Sequence, residues 1–339
     1  MKVTFCSFRL GGHDGVSVEV AKWQRAFEEL GWRVSGVAGA GCADRILPGL
    51  ALDADHGPRP GELEEGLESA DLVVVDNVCS IPLNPSAAAA VAQALRGRPA
   101  VLRHHDLAWQ HARWERAGWE VPTDPAWRHV VINELSRRQL ADRGVHATTA
   151  YNTFHAPRVG RRDDTRRALG AAPGETLLLH PSRAIARKNV PAALSLAAAV
   201  GATYWLTGEA EMGYGPELDR LLARAECRVI RQPATDIADA YAACDAVVFP
   251  STWEGFGNPP VEAAIFRRAA AVGTYPIASE LVERFGFQWL PSDDAQPLAE
   301  WLAQPDERVL DHNYAIATTH FSSDSLRHTL EKLLRTWGW

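Results

Sequence analysis

Short apolar runs alternate along this chain with stretches whose apolar residues return every three or four positions. The first run, Val3 to Phe8, leads into a loop with glycines at 11, 12 and 15. Val16, Val20, Trp23, Phe27 and Leu30 then recur at helical spacing, Gly31 ends the helix, and Arg33 to Val37 forms the next strand. This β–α–β opening continues with strands predicted at 71–75, 100–104, 129–132 and 147–151, and helices near 86–96 and 134–143. A second series has predicted strands at 176–180, 203–207, 228–231, 245–249 and 270–273, each followed by a helix. Leu326, Leu330, Leu333 and Leu334 share one face of a terminal helix over 322–337. Between the series, residues 152–174 are polar and rich in Arg and Asp, carry Pro157 and Pro173, and read as a linker. The pattern predicts an α/β protein of two domains, 1–160 and 161–339, with the terminal helix in the second.

Length agrees, since 339 residues exceed one ordinary hydrophobic core. The net charge of −7 argues against nucleic acid as a general partner, because phosphate backbones need a basic surface. Five scattered cysteines form no C-x-x-C pair, so neither a zinc site nor a disulfide framework is indicated. With no apolar leader and no apolar stretch of about 18 residues, the expectation is a cytoplasmic protein without a transmembrane segment. Only four lysines occur, which gives the lysine at 188 extra weight.

The chemistry concentrates between 245 and 264. Asp245 to Pro250 reads as a buried strand, and Pro259 onward as a helix opening on proline. The loop between them lies where open α/β sheets hold their ligands. Gly255 and Gly257, flanking Phe256, let the backbone approach a diphosphate, and the free N–H groups of the helix start at Asn258 suit its charge. Glu254 on the turn would lie beside a sugar, and Glu262, in the first helical turn, would accept from ribose hydroxyls. The spacing alone is weak, since Glu209 and Glu217 share it; its context carries the inference.

After the first strand of the second series, Arg183 and Lys188 bring positive charge to the same edge, where they could neutralise a departing nucleoside diphosphate, with Arg187 as bystander. In the first series, His104, His105 and Asp106 follow a strand. Neighbouring strand residues face opposite ways, so the two histidines are not set to chelate one ion. Asp53 and Asp55 lie in a Pro/Gly-rich stretch and read as surface turn residues, not a metal site. Trp109, Trp114, Trp119 and Trp127 crowd the segment after His105. Such indoles can form a platform for sugar rings, pack in a core, or, with Arg113, Arg116 and Arg128, sit at a membrane surface.

Together these pieces resemble glycosyltransferase family 4. The R-x4-K of Arg183 and Lys188, the strand-Pro-Ser of Phe249 to Ser251, and the E-x7-E of Glu254 and Glu262 fall in the family's order. Gly11-Gly12 and His105-Asp106 fall where the family keeps its glycine loop and active-site histidine. The resemblance implies the GT-B architecture: two Rossmann-like domains facing a central cleft, the first binding the acceptor and the second the nucleotide sugar. It implies that Arg183 and Lys188 hold the donor diphosphate, Glu254 the hexose and Glu262 the ribose. His105 would bond the transferred sugar, Gly12 would approach the phosphate, and Gly255, Phe256, Gly257 and Asn258 would complete the donor loop. Gly11, His104, Trp109, Trp114 and Trp119 are the expected acceptor contacts.

No metal or other cofactor is implied beyond the nucleotide-sugar donor. The stereochemistry implied is retention, with the leaving phosphate taking the acceptor's proton. The nearest members elongate bacterial polysaccharides, which makes GDP-mannose the first donor and an oligo- or polysaccharide the first acceptor. Peripheral membrane contact stays open, and no oligomeric state follows. Two rivals remain: a nucleotide-sugar epimerase, which needs no acceptor, and a non-catalytic carbohydrate-binding protein, which would not hydrolyse the donor.

Overall fold

Runs of valine, leucine and alanine make strands buried on both faces, as parallel sheets covered by helices require. The computed structural model describes residues 1–12 and 14–339 and contains two units, Met1–Thr153 with Ser323–Trp339, and Phe154–Ser322.

The first unit holds β1 (Lys2–Leu10), β2 (Arg33–Gly41), β3 (Arg45–Ile46), β4 (Leu72–Asp76), β5 (Ala100–His104), β6 (Trp127–Val131) and β7 (Ala147–Thr149). They form one sheet in the order β3-β2-β1-β4-β5-β6-β7, with every pairing parallel. Alternate residues serve the two faces. Cys6, Phe8, Val73, Val75 and Leu102 enter one core, while Val3, Phe5, Leu72, Val74 and Val101 enter the other.

The second unit holds β8 (Leu177–His180), β9 (Thr203–Leu206), β10 (Val229–Arg231), β11 (Ala246–Phe249), β12 (Ala269–Val272) and β13 (Leu290–Pro291). Its order is β10-β9-β8-β11-β12-β13, again all parallel. In each sheet the strand order reverses once, between β1 and β4 and between β8 and β11. Such a reversal opens a crevice at the carboxyl ends of the strands.

Side-chain caps start several helices where the apolar rhythm predicts them. Asp14, Asn84 and Asn133 accept from the backbone N–H three residues on, opening helices Gly15–Glu29, Pro85–Ala94 and Glu134–Ala141. Two expectations need correction. The terminal helix, Ser323–Trp337, belongs to the first unit: Leu326, Leu330 and Leu334 pack with Val3, Phe5, Trp23 and Phe27. A leucine stripe announces a buried face without specifying its partner. The 152–174 stretch also contains a helix, Arg162–Ala168, within the second unit, and the division falls at Thr153–Phe154 rather than at 160. Among the described residues, no helix is long and apolar enough to cross a membrane.

Candidate active site

In the second unit the loops after β8 and β11, the two strands at the reversal, are joined through one carboxylate. Lys188 sits in the short turn Ala186–Lys188 and its Nζ lies 2.6 Å from Glu254 Oε1. Arg187 reaches Glu254 Oε2 at 2.5 Å and also donates to Trp253 O at 2.7 Å. Lys188 and Glu254 are 8% and 6% exposed, so little water screens the pair. Burial pulls the Lys188 ammonium down to about 8 from its usual 10.5, against the opposing pull of Glu254. Its Nζ lies 4.6 Å from the centre of the Phe249 ring.

Gly257 has φ +89°, and a Cβ there would lie 2.0 Å from the Tyr275 hydroxyl, so the loop needs glycine twice over. The helix Asn258–Ile265 follows, with proline in its first turn. It starts at Asn258, which puts Glu262 in the second turn and not the first. There Glu262 Oε2 accepts from the Tyr241 hydroxyl at 2.7 Å. Phe256 is buried between Phe154 and Phe321, while Gly255 and Asn258 are half-buried. Arg183 pairs with a different carboxylate, although its charge helps to lower the Lys188 ammonium. It is exposed and bonds Glu211 at 2.7 Å, whereas Arg187, expected as the bystander, joins the buried carboxylate.

The first unit gathers a second set of groups at its own reversal. Gly11 has φ +71° and lies against Cys42, which a Cβ would approach to 2.8 Å. A Cβ on Gly12 would come equally close to Asp14. The histidine pair divides as the strand geometry requires. His104 turns inward, bonded to Ser80 Oγ at 2.7 Å and to His129 Nδ1 at 3.0 Å. Burial drives its imidazole well below the usual range and that of His129 to about 4, which keeps both neutral. With both ring nitrogens engaged inside the unit, His104 is a packing residue. His105 instead meets Asp76 at the end of β4, Nε2 to Oδ1 at 2.5 Å. Burial opposes ionisation of Asp76, yet Arg103 and His105 hold its carboxyl below the ordinary value.

The four tryptophans meet different partners. Trp109 donates to Gln139 and carries the Arg143 guanidinium 3.8 Å from its ring centre. Trp119 donates to Cys79 O and packs against the core, and Trp127 is buried in β6. Trp114 is half-buried with His111 edge-on to it. Asp53 and Asp55 are exposed in a loop. Among the described residues, no three His, Cys, Asp or Glu side chains group to hold a metal ion.

Residues 178–304, which take in β9 to β13, all of β8 but its first residue, and the Lys188–Glu254 pair, match the family described as Glycosyl transferases group 1. The chain carries a group 1 glycosyltransferase domain. Mannosylglucosylglycerate synthase of Thermotoga maritima is 22% identical, with 98% of this chain and 99% of that protein covered. Among solved structures, HepE of Anabaena, in complex with UDP and glucose, superposes with a TM-score of 0.81 at 20% identity, covering 99% of this chain and all of that one. Sucrose-phosphate synthase of Thermosynechococcus elongatus gives a TM-score of 0.74 at 16% identity over 99% and 98% of the two chains. The fold is GT-B.

Within the group 1 domain, sequence reasoning missed Arg187 and Tyr241 as partners of the two glutamates. Outside it, Asp76 and Asn77 were missed. A carboxylate directly after the apolar run Leu72–Val75, at a strand's carboxyl end, was the available signal.

Proposed function

We propose that the protein is a retaining, metal-independent hexosyltransferase that moves mannose from GDP-mannose to a carbohydrate hydroxyl. The observation that carries this reading is the buried Lys188–Glu254 pair, which joins the two loops at the reversal of the second sheet inside the group 1 domain. A phosphate ligand recruits positive charge, and here an ammonium is held at the strand ends with its carboxylate partner already in place. In this reading Lys188 and Arg183 stabilise the diphosphate as its bond to the sugar breaks. The exposed Arg183–Glu211 contact costs little to exchange for a phosphate. Glu254 takes the hexose hydroxyls, Glu262 the ribose, and Gly257 lets the loop approach the phosphates. The departing phosphate oxygen takes the acceptor's proton, so no protein base is required.

The mannosylglucosylglycerate synthases support mannose as the sugar and a small acidic glycoside as an acceptor class beside oligosaccharides. HepE, solved with UDP-glucose, favours that donor as the second reading. Offering each donor with glucosylglycerate in EDTA, and following the anomeric proton by NMR, tests the set. The expected product keeps the donor's anomeric configuration and forms at the same rate with or without chelator. Inversion, or activity restored only by magnesium or manganese, would sink the mechanism. Conversion of the donor alone into a second nucleotide sugar would make the protein an epimerase.

A further inference from the structure

Two residues after the apolar run of β4 govern both the ring and the backbone of His105. Asn77 has a left-handed backbone, φ +63°. Its Oδ1 accepts from the N–H groups of His105 at 3.0 Å and Asp106 at 3.4 Å, and its own N–H donates to Arg103 O at 2.9 Å. The end of β5 is thereby turned at His105. Asp76, fully buried, takes the ring.

We propose that Asp76 is a positioning residue that keeps the His105 proton on Nε2, leaving Nδ1 to accept a hydrogen bond from a hydroxyl of the bound sugar. This rests on the reading of His105 as a sugar contact. An ionised carboxylate only accepts, so the ring nitrogen facing it carries the hydrogen, and in a neutral imidazole the other nitrogen is an acceptor. The surrounding charges balance without the ring. Arg103 bridges Asp76 at 3.2 Å and Glu19 at 3.3 Å, and Lys22 meets Glu19 at 2.5 Å, giving two cations and two anions. Trp23 covers the Arg103 guanidinium at 4.5 Å, which fixes the bridge. Lys22 also donates to Thr153 O, so the network spans the first unit from β4 to its last residue before the division. His105 then discriminates by accepting: it suits a sugar hydroxyl and not a phosphate oxygen.

The decisive measurement is 15N NMR of histidine-labelled protein, first on the wild type. Nε2 should be protonated and Nδ1 bare; the opposite tautomer in the folded wild type overturns the proposal without any variant. In Asp76→Asn the amide can donate to Nε2, so the tautomer should invert and kcat fall about tenfold or more while the donor KM stays within about twofold. An unchanged tautomer, or an inverted one with normal kcat, overturns the proposal. His105→Ala separates the two layers. If it transfers normally, the sugar-contact reading fails and the proposal with it. If it is crippled while the folded Asp76→Asn enzyme is not, the proposal alone fails.

Discussion

Lys188 shows how one buried charge sets the working range of the candidate donor site. Its ammonium, lowered to about 8, is the form that can hold a diphosphate. The donor kcat/KM, which reports the free enzyme, should therefore fall above about pH 8, approaching tenfold per unit. Stability runs the other way. The unfolded chain binds the Lys188 proton more tightly, so from about pH 8 to 10.5 this group favours the folded state as pH rises. Loss of rate in that window with the fold retained is the expected signature, and a profile flat to pH 9 would remove Lys188 from phosphate binding. Lys188 and Glu254 were legible as loop residues after apolar strands. Arg187 and Asp76 were not, because their partners lie 67 and 29 positions away and are brought near only by strand adjacency.

At the scale of elements, hydrophobic rhythm revealed what apolar packing builds and missed what arginine builds. The helix Arg162–Ala168 buries no residue, so its sequence reads as a linker. It is held instead by Arg162, which donates to the carbonyls of Ala242, Ala243 and Cys244 and pairs with Asp245, while Arg166 donates to Ala243 O as well. Those carbonyls lie at the close of the helix Ile237–Ala243, whose last turn also accepts from Arg268 at Tyr241 O and Ala242 O. Gly160 lies close against the same helix, where a Cβ would strike Ala238 O at 2.1 Å. With Arg162 partly exposed, its loss should cost the second unit about 1–2 kcal/mol, discounted for solvent screening. Urea unfolding of Arg162→Ala, with hydrogen exchange in residues 237–243, would show it; an unchanged midpoint and unchanged protection would mean that the arginine only decorates the surface.

For the whole molecule, the fold class and both strand series, save the two-residue edge strands β3 and β13, were legible because parallel strands buried on both faces announce themselves as short apolar runs. The ownership of the terminal helix was not, because periodicity records how many faces a helix buries and not which sheet receives them. Its leucines complete the core beside Val3, Phe5 and the helix Gly15–Glu29, so the first unit is assembled from both ends of the chain. That arrangement makes a distant substitution act on the unit that carries His105. Leu330→Ala removes a side chain 1% exposed in that core and should cost about 2–5 kcal/mol. The loss should appear as faster amide exchange in Lys2–Leu10 and Leu72–Asp76, while Leu177–His180 and Ala246–Phe249 keep their protection. If exchange quickened instead in the second pair of strands, the helix would be supporting the unit that precedes it in sequence, and the assembly argued from its leucines would be wrong.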